Sequence, residues 1–165
     1  MIISGRTAFD RGVLTDLIDA AIQVQPCGID VTLKTVSKYT GPGTLDFSNT
    51  LRNISTTERM PFHPSDTTSD QPPFVHLPLG SYIMEFNETL HTPMDIMGHI
   101  YSRSSLWRSG GLIHGGVCDS GYSGAFGALL QVSLNQRKYI QAVVRFPTWL
   151  QRNVDLSFRL LIRMA

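Results

Sequence analysis

The chain has 165 residues, of which 42% are hydrophobic and 16% charged, and its 14 basic and 13 acidic residues give a formal charge of +1. A chain of that length suits one domain that buries well over half of its unfolded surface without a disulfide or metal staple, and its low charge content favours subunits that hide surface in an oligomer. The near-neutral balance supplies no general field for nucleic acid or an anionic membrane, so any recognition of phosphate must be local.

No run approaches the ~20 apolar residues of a membrane helix, and the opening MIISGRTAFDRG lacks the apolar centre of a signal peptide. Two cysteines, Cys27 and Cys118, have no second pair for a zinc ribbon and fit a reducing compartment, so the expected location is intracellular, in the cytoplasm.

In chain order, Val13, Leu14, Leu17, Ile18 and Ala21 recur at helical spacing and predict one short N-terminal helix within residues 10–22. Ile29, Val31 and Leu33 then alternate with Asp30 and Thr32, the period of a half-buried strand. Residues 41–73 carry Pro42, Gly43, Pro61, Pro64, Pro72 and Pro73, which predicts an irregular, loop-rich insertion with short strands and a mobile loop near 65–71. Beyond it, strands are predicted at 74–77, 81–86, 96–101, 112–114, 125–132, 142–146 and 156–162. Many short strands at near-even spacing give a mainly all-β sandwich or barrel, in one domain over residues 1–165.

Three segments concentrate unusual chemistry. In Gly28-Ile29-Asp30-Val31 an aspartate sits inside an apolar strand, which costs several kcal/mol if it faces inward unpaired and nothing if it faces solvent. The run Ser102-Arg103-Ser104-Ser105-Leu106-Trp107-Arg108-Ser109-Gly110-Gly111 crowds hydroxyls and guanidinium groups into a turn capped by Ser102 or Ser104. Such a group suits an anion, although an ordinary Ser-capped turn with solvated arginines has the same composition. In Gly115-Gly116-Val117-Cys118-Asp119-Ser120-Gly121-Tyr122-Ser123-Gly124 the glycines admit close backbone approach, Asp119 offers a base for water and Tyr122 a flat face with a polar tip. A glycine-rich hairpin turn with a structural aspartate reads the same way. Histidines 63, 76, 91, 99 and 114 form no recognised metal pattern, and Ser104 and Ser105 lack the context of a hydrolase nucleophile.

Taken together and in this order, Gly28-Ile29-Asp30, Arg103-Ser104-Ser105-Leu106 and Gly116-Val117-Cys118-Asp119-Ser120-Gly121-Tyr122-Ser123-Gly124 resemble the first three motifs of the dUTP diphosphatase and dCTP deaminase superfamily. The Gln25-Pro26-Cys27-Gly28 opening and the longer Arg-Ser-Ser-Leu-Trp-Arg run resemble its deaminase-related branch, which includes short dUTPases.

The resemblance implies a dUTPase-like β-barrel or jelly roll, assembled as a homotrimer with sites between subunits. It implies hydrolysis of dUTP to dUMP and pyrophosphate, with water oriented by Asp119 attacking the α-phosphate. Arg103, Ser104, Ser105 and Arg108 would hold the triphosphate, backbone near Gly116 and Val117 would read the base, and Tyr122 would pack under the deoxyribose. Mg²⁺ would travel on the triphosphate, with Asp30 at most an indirect partner. Neither nucleic acid nor membrane is an expected partner. For the fourth motif, Gln141 lies early, whereas residues 153–164 lie at a better distance without a glutamine, and the register stays open. The deaminases carry a glutamate on the strand after the third motif, where Ala125-Phe126-Gly127-Ala128-Leu129-Leu130 stands here. Deamination of dCTP, alone or combined with hydrolysis, and a nucleotide-binding regulator without turnover are the competing expectations.

Overall fold

Strands with every second residue apolar, separated by glycine and proline turns, assemble here into antiparallel sheets around one hydrophobic cluster. The computed structural model describes residues 2–48, 50–62, 74–133, 144–145 and 158–164. In chain order the elements are α1 (Gly5–Asp10), β1 (Leu14–Thr15), α2 (Ala20–Gln23), β2 (Ile29–Val31), β3 (Leu33–Tyr39), β4 (Thr57–Arg59), β5 (Phe74–Val75) and β6 (Gly80–His91). They continue with β7 (Ile96–Ser102), α3 (Ser104–Arg108), β8 (Gly111–His114), β9 (Val117–Cys118), β10 (Ser123–Val132), β11 (Val144–Arg145) and β12 (Phe158–Met164).

One sheet has the order β4-β3-β6-β10-β8, with β1 also on β6; a second has the order β2-β12-β7-β9; β5 and β11 form a ribbon. The 12-residue β6 shows why these strands form. Tyr82, Met84, Phe86 and Leu90 are buried on one face of the strand, and each such side chain contributes roughly 1.5–3 kcal/mol through burial. Ile29, Val31, Ile96 and Ile100 of the second sheet join the same cluster. The mainly β expectation holds, and most strand positions fall within two residues of the sequence reading.

The N-terminal helix is a correction. Residues 10–22 are not one helix: α1 lies earlier, with Ser4 Oγ accepting from Thr7 N at 3.0 Å, and α2 begins after Asp19. Between them Leu14 and Thr15 pair with Leu90 and Thr89 of β6. Gly12 at φ 65° and Asp16 at φ 60° stand in the left-handed region, so no continuous right-handed helix passes through them. Strand pairing and burial of Val13 and Leu14 outweigh a helical periodicity worth only tenths of a kcal/mol per residue. The predicted loop at 65–71 lies outside the described residues.

Candidate active site

β2 places Asp30 inward, 3% exposed, so the aspartate requires compensation. Arg103, at the end of β7, supplies it with an Nη1 to Oδ2 contact of 3.3 Å. The arginine side chain remains 42% exposed, so it reaches from a buried acid to the surface.

After Arg103 the chain turns through α3. The expected serine cap is absent: Arg103 occupies the cap position without a side-chain hydrogen bond. Ser102 Oγ instead accepts from Ile113 N at 2.8 Å, which ties β7 to β8. The turn is anchored by Leu106, 6% exposed, over Gly111, where a Cβ would lie 2.8 Å from Leu106 Cδ1. Ser104, Ser105 and Arg108 are exposed around that anchor, and the Arg108 guanidinium stands 5.3 Å from the Trp107 ring centroid. An apolar anchor with exposed donors is an arrangement able to hold an anion.

Gly115 and Gly116 connect β8, which pairs with β10 in the first sheet, to β9, which pairs with β7 in the second. Gly115 passes so close to β7 that a Cβ would lie 2.5 Å from Ile100 O, whereas Gly116 has open space around it and Val117 is 56% exposed. Cys118 is buried opposite Gly98, and Asp119 then emerges into solvent. Its turn is fixed mainly by backbone. Tyr122 N donates to Asp119 O at 3.2 Å, with Gly121 at φ 80°, as a type II turn requires. Gly121 N donates to Thr92 O and Thr92 N donates to Tyr122 O, both at 2.8 Å. Ser120 Oγ donates to Ile96 O at 2.6 Å. Tyr122, 42% exposed, donates its hydroxyl to Ala125 O.

The Asp119 carboxylate forms no hydrogen bond or ion pair among the described residues, an acceptor held in place and left open. Its neighbour Cys118 is pushed up to about 11 by burial and by the adjacent Asp119 charge. The thiol therefore stays protonated at neutral pH and offers no thiolate nucleophile.

These two halves stand apart in one chain. Cys118 pairs with Gly98 near the start of β7, while Arg103 follows its end. Six residues of strand separate the level of Asp119 from Arg103, roughly 20 Å at strand rise. Gln141 lies outside the described residues. Among those described, no group of three or more His, Cys, Asp or Glu could hold a metal. Asp30, buried and paired with Arg103, does not fit a direct Mg²⁺ ligand.

Sequence reasoning passed over Glu88, which sits 1% exposed on the core face of β6. Its carboxylate accepts from Thr32 N at 2.9 Å, Thr32 Oγ1 at 2.7 Å and Gln23 Nε2 at 2.6 Å, and Gln23 also donates to Asp30 O at 2.9 Å. An acid at an apolar period-two position was the available signal. Thr92 and His91, which hold the Asp119 turn and the residue after it, carried none.

Comparison with known proteins follows the same outline. A family described as dCTP deaminase-like matches residues 7–140. A probable deoxyuridine 5'-triphosphate nucleotidohydrolase of Archaeoglobus fulgidus is 31% identical over 157 residues, covering 94% of this chain and 81% of that protein. A probable enzyme of the same name from Methanosarcina acetivorans is 33% identical over 120 residues, 73% of this chain, and the match spans 66% of its length. Among solved structures, 2'-deoxycytidine 5'-triphosphate deaminase from Agrobacterium tumefaciens aligns with TM-score 0.60 and 18% identity, covering 99% of this chain and 48% of that one. At that identity the likeness concerns the fold.

Proposed function

The chain belongs to the dCTP deaminase-like family, and from that premise we propose that it hydrolyses dUTP to dUMP and pyrophosphate. The observation that carries this reading is Asp119: an exposed carboxylate on a turn held by Thr92 and Ser120, beside an exposed tyrosine face. Relatives named deoxyuridine 5'-triphosphate nucleotidohydrolase support the substrate.

Asp119 orients a water and takes its proton as the oxygen attacks the α-phosphorus. The bond from that phosphorus to the bridging oxygen breaks, and pyrophosphate leaves with the electron pair. A positioned base of this kind contributes typically about 10²–10⁴-fold. Ser104, Ser105, Arg103 and Arg108 donate to the triphosphate, where charge moves toward the leaving group. Backbone at Gly116 and Val117 meets the base, and Tyr122 packs against the sugar where a 2'-hydroxyl would stand. Mg²⁺ supplied with the triphosphate would neutralise part of its charge, and Asp30, buried and paired with Arg103, would not ligate it directly.

The separation along β7 supports a site shared between copies, with Asp119 from one subunit and the α3 turn from another, as in a cyclic homotrimer. The reading is tested by pyrophosphate release from dUTP with Mg²⁺, compared with dCTP, dTTP and UTP. Turnover confined to dUTP and lost in Asp119→Asn is expected, and absence of turnover overturns it. Binding of dUTP without turnover would point to a regulator instead. The fold shared with a deaminase favours deamination as the second reading, but β10 carries no carboxylate along Ser123–Val132. Ammonia release from dCTP decides between them.

A further inference from the structure

The geometry points to His91 as a positioning residue that holds the Tyr122 face through Ser123 and is itself braced by the N-terminal Thr15 and Asp16. This rests on the reading of Tyr122 as the sugar platform and adds residues no motif contains.

The start of β10 is irregular. Its pairing with β6 shifts between Ala125 and Gly127, and Gly124 has φ 151°. Residues 123–125 still pair with His91, Leu90 and Thr89 of β6, but the shift sets this short stretch apart from the longer ladder of residues 127–132. Tyr122 folds back over this segment, its hydroxyl on Ala125 O, so the ring can be no better placed than the segment beneath it. One side-chain contact crosses to β6 there: His91 Nδ1 lies 2.8 Å from Ser123 Oγ, at the paired position Ser123↔His91.

The other ring nitrogen is also engaged. His91 Nε2 lies 3.3 Å from Thr15 Oγ1, and Thr15 Oγ1 donates to Asp16 Oδ2 at 3.1 Å. Because the Thr15 hydroxyl spends its single proton on Asp16, it accepts from Nε2–H. In the neutral ring Nδ1 is then an acceptor, and the Ser123 hydroxyl donates to it. The donor directions run from Ser123 to His91, to Thr15, to Asp16, and each fixes the next. The Asp16 carboxyl is held below the usual carboxylate range by hydrogen bonds from Thr89 and Thr15. Asp16 keeps φ 60°, a left-handed conformation that persists where surrounding contacts hold it. The strained residue lies at the end of the chain of contacts that reaches Tyr122.

The test uses His91→Ala, His91→Asn and Ser123→Ala in the full-length protein. The Asn amide places a polar group where Nδ1 stands and abandons Thr15. His91→Ala and Ser123→Ala are each expected to reduce the dUTP-over-UTP ratio of kcat/KM by about three- to tenfold, the worth of one hydrogen bond. The double variant should be no worse than either single one, and His91→Asn, which keeps the Ser123 contact and loses the Thr15 brace, should restore part of the ratio. Amide exchange of Ser123, Gly124 and Ala125 reads the same positioning without nucleotide, and should quicken in both alanine variants and recover in part in His91→Asn. Additive effects, an Asn variant as impaired as Ala, or exchange unchanged in His91→Ala overturns the proposal. If the wild type turns over no dUTP while exchange responds as expected, the catalytic reading fails and the positioning stands.

Discussion

Glu88 and Asp119 are both carboxylates at the edge of one hydrophobic cluster, and the structure treats them in opposite ways. Glu88 is closed in, with Thr32 and Gln23 donating to it. Asp119 is held by backbone contacts of its neighbours while its own side chain faces solvent. A buried acid saturated with donors fastens β6 to α2 and to Thr32 after β2; an exposed acid on a fixed turn leaves its lone pairs open, as the proposed role of Asp119 requires. Residue type does not separate the two roles, and the origin of the surrounding donors does.

The sharpest way to break this contrast is to neutralise each acid. Asp119→Asn should lower dUTP turnover by about 10²–10⁴-fold, while its urea midpoint stays close to wild type; retained turnover would return Asp119 to a structural role. Assembly gives the next effect. Asp119→Asn and Arg108→Ala subunits, each inactive alone, should recover about a quarter of wild-type activity when co-expressed, because mixed interfaces rebuild intact sites. No recovery would place both residues in one subunit's site.

Glu88→Ala should cost about 2–4 kcal/mol in urea unfolding, because Thr32 and Gln23 donors are left unmet in the core. Loss of turnover without loss of stability would instead make Glu88 part of the chemistry.

Gly111→Ala tests the α3 anchor by pushing a Cβ toward Leu106 Cδ1 at 2.8 Å. A cost of about 1–2 kcal/mol and a raised KM for dUTP with little change in kcat are expected from stability and steady-state measurements.

The smallest effect is silent at neutral pH. The Cys118 thiol is raised in the folded protein from 9.0 to about 11 by burial and by Asp119. Unfolded chains therefore release this proton first, so its contribution is intact below pH 9 and is lost as pH rises toward 11. Cys118→Ser should flatten that alkaline limb in a denaturation series, and a thiol reagent at pH 8 should modify exposed Cys27 before Cys118.

The sequence was most legible where one local rule decides the outcome. Strand-forming runs bounded by turn residues placed β7, β8, β10 and the first half of β6, because turn residues and β-favouring side chains act locally. Two-residue alternation flagged Asp30 as an acid among apolar neighbours, and the motif order carried the resemblance that the family match supports. Periodicity misled at residues 10–22, where helical spacing is a weak preference and pairing with β6 is a strong one.

What the tertiary structure alone decided involves partners far apart in sequence. Arg103 meets Asp30 across 73 residues, Glu88 meets Thr32 across 56, and His91 meets Thr15 across 76. No local pattern encodes such pairs, because each depends on which strands become neighbours. The same holds for the distance between Asp119 and α3. The sequence names both groups, but only the register of β9 on β7 puts them at opposite ends of one strand. A strand is stiff and extended, so that register alone sets them roughly 20 Å apart.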